Sequence, residues 1–123
     1  MQINCGTDII EIGRIEEAIE ELGDKFISRV FTKKEIEYCE GKNNAKYEHY
    51  AGRFAAKEAA FKAISKLLED KYSINWKNIE VENDEDGRPK INFIDIDMSK
   101  IEKIDISISH CKQYATANVI IAY

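Results

Sequence analysis

The sequence has few of the residues that build disulfide frameworks or linkers. Its 123 residues include three cysteines, one proline and six glycines. Cys5, Cys39 and Cys111 form no CxxC pair and leave an odd count, which favours a reducing compartment over a set of disulfides. No repeat, low-complexity tract or linker divides the chain. We therefore expect one domain spanning residues 1–123.

Long apolar runs and an excess of positive charge are missing too. No segment approaches the ~20 apolar residues of a membrane helix, and Asp8 interrupts any signal-like apolar stretch near the amino terminus. We therefore expect a cytoplasmic protein without a membrane span or signal peptide. The formal net charge of −5 argues against a nucleic-acid-binding protein, which needs a basic surface to displace counterions from phosphates.

The first half of the chain is dominated by helical periodicity. Ile12, Ile15 and Ile19 share one helix face, and glutamates occupy most of the other. Thr32 and Glu35 form a capping-box pattern. The longest segment is rich in alanine, a strong helix former. The expected elements are a strand at 2–10 and helices at 11–22, 26–31, 32–39 and about 45–68.

The second half alternates apolar and polar residues, as β-strands do. A hairpin comes first, with Pro89 just outside its second strand, and two more strands follow. The expected elements are strands at 79–81, 91–94, 104–108 and 114–123, a turn at 84–87 and a short helix at 99–104. Helices followed by hairpins predict an α+β fold, with an antiparallel sheet packed against the long central helix.

Asp8, Glu58 and Lys62 could do chemistry, and each also has a simpler explanation. Asp8 stands at a strand-to-helix junction, where an acid caps the helix or forms a turn. It could instead be one arm of a site for a hard cation such as Mg²⁺. Glu58 lies among alanines that let a ligand approach closely, but on spacing alone Glu58 and Lys62 form an ordinary i,i+4 ion pair.

His110 ends an alternating strand beside Ser109. It could contact a phosphate or a base, or be a structural histidine. Cys111 is not its catalytic partner by adjacency, because neighbouring strand side chains point to opposite faces and thiolate activation needs a base in space. No glycine-rich phosphate loop, paired-cysteine zinc site or Ser-His-Asp signature is present.

Three segments together resemble the holo-acyl-carrier-protein synthases, which are 4′-phosphopantetheinyl transferases. The segments are the stretch from Gly6 to Arg14, Arg53-Phe-Ala-Ala-Lys57-Glu58-Ala, and Ser107-Ile-Ser109-His110. The resemblance covers essentially the whole chain, and it implies the 4′-phosphopantetheinyl transferase fold. The implied reaction is Mg²⁺-dependent transfer of 4′-phosphopantetheine from coenzyme A to a serine of apo acyl carrier protein. Adenosine 3′,5′-bisphosphate is the other product, and holo acyl carrier protein serves fatty acid biosynthesis.

The resemblance also implies roles for individual residues. Asp8 and Glu58 match the family's magnesium ligands, Lys62 matches a phosphate contact, and Lys57 is expected to assist Lys62. Glu58, directly or through a bound water, is the candidate acceptor of the serine proton. The positions that match contacts to the 3′-phosphate and adenine are Arg53, Gly87, Arg88, Pro89, Ser109 and His110.

The resemblance also implies an oligomeric state and a protein partner. Family members of this length are typically homotrimers with each active site between two subunits. Acyl carrier proteins are acidic, so an acidic enzyme needs a basic face to bind one. The candidate for that face that the resemblance supports best is Arg14. The other candidates are Lys25, Arg29, Lys33 and Lys34. The alternative explanation for these four residues is ordinary surface charge.

Two positions depart from the family pattern. Cys111 stands where a small hydroxyl residue is frequent, which puts one hydrogen bond to the 3′-phosphate in doubt. Asn4 stands where glycine is frequent. The alternative function is a non-catalytic module of the same fold that binds coenzyme A or serves assembly. The combination of Asp8, Glu58 and Lys62 argues against it, because a binding module does not need the metal pair.

Overall fold

In a computed structural model that describes residues 1–123, a long helix packs on one antiparallel sheet and a hairpin forms a second. The helices are α1 (Ile12–Leu22), α2 (Asp24–Val30), α3 (Lys33–Glu40) and α4 (Lys46–Ile64). The strands are β1 (Ile3–Glu11), β2 (Ile79–Asn83), β3 (Pro89–Phe93), β4 (Lys103–His110) and β5 (Tyr114–Ala122). The larger sheet has the order β1-β5-β4, and β2 pairs with β3. This arrangement confirms the predicted α+β fold with its long central helix.

Helix α4 lies very close to strand β1 because the facing residues are small. A Cβ atom built on Gly6 would lie 1.9 Å from the carbonyl oxygen of Ala59, so no side chain fits at position 6. The contact lies beside Asp8 on the strand and beside Glu58 on the helix. It therefore brings these two carboxylates near each other. The buried alanines of α4 are Ala51, Ala55, Ala56, Ala59, Ala60 and Ala63.

The amphipathic helix predicted near the amino terminus is confirmed as α1. Ile12, Ile15 and Ile19 are buried against α4 and its neighbours, and such burial stabilises the fold by about 1.5–3 kcal/mol per side chain. The predicted capping box at Thr32 and Glu35 opens α3. None of the helices is both long enough and apolar enough to cross a membrane.

Two details of the second half differ from the sequence-based expectation. Pro89 is the first residue of β3, paired with Asn83, and not outside the strand; a proline is tolerated at a strand's first position. The short helix expected at 99–104 is absent. A turn stands there, with the N–H of Ile101 bonded to the carbonyl of Met98, and β4 already begins at Lys103, where pairing with β5 outweighs helix formation.

A buried ion pair joins α3, α4 and β2. Glu35 Oε1 lies 2.5 Å from Lys57 Nζ, with side-chain exposures of 0% and 1%. The carboxylate also accepts hydrogen bonds from the backbone N–H groups of Thr32 and Val81, both at 2.8 Å. These bonds offset the cost of removing the charges from water. Burial lowers the pKa of Lys57, and the Glu35 charge opposes that shift.

Because Lys57 adjoins Glu58, this pair fixes the rotation of α4 at the candidate site, and its loss should be costly. We expect Lys57→Met to lower the free energy of unfolding by about 3–5 kcal/mol, since Glu35 is left buried without its cation. Urea denaturation at fixed protein concentration measures the difference. Lys66→Met, at an exposed lysine, is the matched control and should change stability by less than about 0.5 kcal/mol. Equal losses in the two variants would contradict the assignment.

Candidate active site

Strand β1 and the C-terminal half of α4 bring three predicted site residues together. Lys62 Nζ lies 3.1 Å from Asp8 Oδ1 and donates to the carbonyl oxygen of Thr7 at 2.9 Å. The Asp8 side chain is 17% exposed and that of Lys62 is 49% exposed. The i,i+4 pair of Lys62 with Glu58 is thus replaced by a contact across the helix–strand junction.

Glu58 is the third member of this group. Its carboxyl is half-buried, and burial raises its pKa. The negative charge of Asp8 raises it further, whereas Lys62 acts in the opposite direction. Two carboxylates held near each other repel, so the arrangement favours a proton or a cation between them.

The donor set suits Mg²⁺ better than a metal that needs a full protein cage. No group of three or more His, Cys, Asp or Glu side chains lies in a metal-binding arrangement. Mg²⁺ commonly takes one or two carboxylates and fills its other positions with water and substrate phosphate. Asp8 and Glu58 therefore fit this ion in the presence of a phosphate-bearing ligand.

A polar cleft of about 400 Å³ opens at Asp8 and Lys62. Its floor belongs to β1 and β5, where Thr7 is paired with Asn118 and Ile9 with Thr116. These residues alternate with buried ones, so they lie on the sheet face opposite α4. The cleft therefore presents a lysine, a carboxylate and hydroxyl groups to whatever covers that face.

A second group lies towards the N-terminal half of α4. Arg53 is 4% exposed, donates from Nη2 to Asn83 Oδ1 at 2.6 Å and stacks over the ring of Tyr38 at 3.6 Å. Its Nε is buried without a hydrogen-bond partner, which costs about 1–3 kcal/mol. Such an unused donor on a guanidinium is suited to an anion.

Asn83 links Arg53 to the hairpin turn. Its Nδ2 donates to the carbonyl oxygen of Gly87 at 2.9 Å. Gly87 has a φ of 81°, a backbone conformation that favours glycine. Arg88 and Pro89 follow directly. Asn83 was not singled out from the sequence, since a polar residue next to a turn carries no distinguishing signal there.

Ser109 and His110 end β4 and are exposed. His110 Nδ1 lies 3.5 Å from Glu48 Oε2, and its ring is 5.9 Å from that of His49. Burial lowers the pKa of His49, and the charges of Lys42 and Arg53 lower it further. Cys111 follows in the turn, where backbone hydrogen bonds lower the pKa of its thiol.

The two groups do not meet within one chain. Along α4, Arg53 lies roughly 8 Å from Glu58 and roughly 14 Å from Lys62 at a rise of about 1.5 Å per residue. Lys57 belongs to neither group, because its ammonium lies inside the protein on Glu35. The predicted basic residues are on the surface: Arg14 pairs with Glu11 at 3.3 Å, and Lys25, Arg29, Lys33 and Lys34 are exposed.

The sequence profile of the 4′-phosphopantetheinyl transferase superfamily matches residues 4–120. A holo-[acyl-carrier-protein] synthase of Ruminiclostridium cellulolyticum is 41% identical, with 99% of this chain and 93% of the relative covered. One from Chlamydia pneumoniae is 43% identical, with 96% and 95% covered.

Solved structures agree with these relatives. The ACPS–CoA complex of Chronobacterium ammoniagenes has a TM-score of 0.81 at 29% identity, covering 100% of this chain and 98% of that one. Helicobacter pylori holo-[acyl-carrier-protein] synthase in complex with coenzyme A has a TM-score of 0.81 at 30% identity, covering 96% and 99%. Since the likeness in sequence and fold runs over nearly the whole length, the chain belongs to the holo-[acyl-carrier-protein] synthase family of 4′-phosphopantetheinyl transferases.

Proposed function

We propose that this protein transfers 4′-phosphopantetheine from coenzyme A to a serine of apo acyl carrier protein, releasing adenosine 3′,5′-bisphosphate. Holo acyl carrier protein, the product, serves fatty acid biosynthesis. The observation that carries the proposal is the meeting of Asp8, Glu58 and Lys62 at the edge of a polar cleft, in a member of this family. No feature of the structure favours the non-catalytic alternative.

Asp8 and Glu58 would hold Mg²⁺, and Lys62 would contact the pyrophosphate of coenzyme A. When bound, Mg²⁺ offsets the charge of the pyrophosphate and makes the attacked phosphorus more electrophilic. Lys62 is half-exposed and reaches over β1, so its ammonium can exchange Asp8 for a phosphate oxygen. It would thereby counter the charge that develops on the leaving oxygen.

The serine oxygen attacks the phosphorus that bears the pantetheine arm. A new P–O bond forms to the serine, and the bond from that phosphorus to the bridging oxygen breaks. The bridging oxygen leaves with adenosine 3′,5′-bisphosphate, and the serine proton passes to the Glu58 carboxylate. Glu58 would accept it directly or through a bound water; burial and the Asp8 charge raise the pKa of Glu58 in the metal-free chain, whereas a bound cation would lower it.

The adenosine end of coenzyme A would bind at the Arg53 group. Arg53 brings the unused Nε donor, and Ser109 and His110 stand exposed nearby at the end of β4. The turn residues Gly87, Arg88 and Pro89 complete this group through Asn83. Cys111 replaces the hydroxyl residue frequent in the family, so the 3′-phosphate would depend more on Arg53 and His110.

We propose a homotrimer in which one chain supplies the metal group and its neighbour supplies the adenosine group. This division accounts for the separation of the two groups on α4. The sheet face that carries the cleft exposes large apolar side chains among its polar ones: the exposed fractions are Ile3 65%, Ile9 64%, Tyr114 43% and Ile120 52%. Exposed apolar patches of this kind commonly mark protein interfaces.

The carrier protein would dock on the basic residues of α1 and α2. Arg14, Lys25 and Arg29 are exposed there. The ion pair between Arg14 and Glu11 is exposed at the surface and stabilises the fold by only about 0–1 kcal/mol. An acidic partner can therefore displace Glu11 from Arg14 at little cost in free energy. Coenzyme A as co-substrate and three free cysteines are in keeping with a cytoplasmic location.

Removing either metal-binding carboxylate should abolish most transfer. We expect Asp8→Asn and Glu58→Gln each to lower the rate by about 10²-fold or more, since charge stabilisation in the transition state is lost. The measurement is the mass of apo acyl carrier protein after incubation with coenzyme A and Mg²⁺. Chelation by EDTA should stop the wild-type reaction, and added Mg²⁺ should restore it.

Glu69→Gln, at an exposed carboxylate, is the control for this experiment and should transfer at the wild-type rate. Full activity in Asp8→Asn or Glu58→Gln would remove the metal assignment. If wild type binds coenzyme A and yields no product with a competent carrier protein, the non-catalytic alternative holds.

The apolar sheet face should hold the trimer together. We expect Ile120→Lys to shift the protein from trimer to monomer in sedimentation velocity and to lower transfer in parallel, because burying a charged side chain in an interface is costly in free energy. Leu22→Lys is the matched control, since Leu22 and Ile120 are both 52% exposed but Leu22 lies at the end of α1. A trimeric, active Ile120→Lys variant would contradict this interface.

A further inference from the structure

A groove of about 440 Å³ opens beyond the carboxyl end of α4, outside the candidate active site. None of Asp8, Glu58 and Lys62 lines it. Residues 67–70, which follow α4, form one wall, and residues 95–98, in the connection between β3 and β4, form the other. We call this feature the acidic groove.

The floor of the acidic groove is apolar. The partly buried residues of the floor are Leu67, Leu68, Ile74, Ile96 and Met98. All of them except Ile96 also pack against the core between α4 and the sheet, which holds the floor in place. An apolar side chain that covers this floor is stabilised by the burial.

The rim of the acidic groove is negatively charged on both walls. Glu69 and Asp70 stand on one wall, and Asp95 and Asp97 stand on the other, all of them exposed. None of these carboxylates forms a salt bridge, and Lys100 is the single cation that lines the groove.

The backbone adds to this negative charge. A 3₁₀ turn at Ser65–Leu67 continues α4 up to the acidic groove, so the negative end of the helix dipole lies there. The charge of the groove is therefore complementary to a cationic partner.

The acidic groove and Arg14 lie towards opposite ends of the sheet. The β3–β4 connection leads into the start of β4, where Lys103 is level with Ala122 of β5 and Ile3 of β1. Glu11, at the other end of β1 and just before α1, is roughly 26 Å from Ile3 at about 3.3 Å per residue. An acidic carrier protein is repelled by the acidic groove, so the groove selects a different partner.

An exposed aromatic ring beside the acidic groove favours a protein partner over a small amine. Tyr72 is 87% exposed and stands between Asp70 and Ser73, which both line the groove, but Tyr72 itself does not line it. A small amine inside the groove leaves this ring uncovered, whereas a protein segment that runs along the groove covers it. Tyrosine is enriched among the residues that contribute most to binding at protein interfaces.

We propose that the acidic groove binds an extended basic segment of a partner protein other than acyl carrier protein. In this segment, lysine or arginine alternates with apolar residues such as leucine. Alternate side chains of an extended strand point to opposite sides, so the apolar ones enter the floor. The long basic side chains bend over to the carboxylates of both walls, with their aliphatic stems on apolar surface. This inference goes beyond the proposed function and does not depend on the transfer reaction.

A labelled peptide that alternates leucine with lysine is the probe, and its fluorescence anisotropy with the full chain is the measurement. We expect saturable binding that weakens as salt is added. The same peptide with serine in place of leucine should bind at least about tenfold more weakly, because burial on the floor is lost. A peptide with glutamate in place of lysine should not bind. Equal affinities for the leucine and serine peptides, or no binding of the leucine–lysine peptide, would overturn the proposal.

A double variant tests the two walls. Glu69→Gln combined with Asp95→Asn removes one carboxylate from each wall, and asparagine tolerates the φ of 58° at position 95. We expect about tenfold weaker binding of the leucine–lysine peptide, with transfer to carrier protein at the wild-type rate. Glu85→Gln combined with Asp86→Asn is the matched control, because it removes the same charge from exposed positions outside the groove. Equal losses in the two double variants would show that overall charge attracts the peptide, and would refute the assignment.

Spermidine separates protein docking from a site for small amines. We expect it to displace the peptide only at concentrations at which ordinary salt does the same. Displacement near the Kd of the peptide would assign the acidic groove to small amines and contradict the proposal. Tyr72→Ser should weaken peptide binding, since the segment covers this ring; a variant that binds the peptide as tightly as wild type does would also count against a docked protein segment.

Discussion

The close contact between Gly6 and Ala59 is the constraint on which the candidate site depends. It sets the distance between β1 and α4, since a Cβ at position 6 would collide with the helix backbone. Only at this distance does Lys62 reach across the strand to Asp8 Oδ1 and the carbonyl oxygen of Thr7. The small residues of α4 are thus a requirement of the proposed chemistry as well as of packing.

Two lysines of α4, Lys57 and Lys62, each pair with a carboxylate, but the two pairs have opposite roles. Lys57 is buried and holds Glu35, which joins α3 and β2 to the helix through its hydrogen bonds. Lys62 is half-exposed and holds Asp8 at the surface. The first pair is stable because separating its members would leave each charge buried without a partner. The second is easily exchanged for a ligand, which is what a binding site needs.

Local patterns predicted most of the fold. The isoleucine spacing of α1, the capping box at Thr32 and the alanine-rich α4 depend on near neighbours in sequence, and each is present. The prediction of a helix at 99–104 was wrong because pairing with β5 determines the conformation at the end of that segment. Pairing across a sheet is a long-range property that a single local pattern does not contain.

The candidate site divides in the same way. The resemblance selected Asp8, Glu58 and Lys62, and the structure brings them together. It did not indicate that Lys57 turns inward, because the partner, Glu35, is far away in sequence. Likewise, the bond from Arg53 to Asn83 and the acidic groove beyond α4 arise from tertiary packing. The residues of the candidate site could be selected from the sequence, but the directions in which their long side chains point could not be predicted from it.

In the proposed site, Asp8 and Glu58 of one chain would hold the metal on which the pyrophosphate of coenzyme A is positioned. A crystal structure of the protein with coenzyme A and Mg²⁺ tests it most directly. We expect an ion between these two carboxylates, the pyrophosphate beside Lys62, and the adenosine end against Arg53 and His110 of a neighbouring chain. An ion bound elsewhere, or a pyrophosphate far from Lys62, would contradict it.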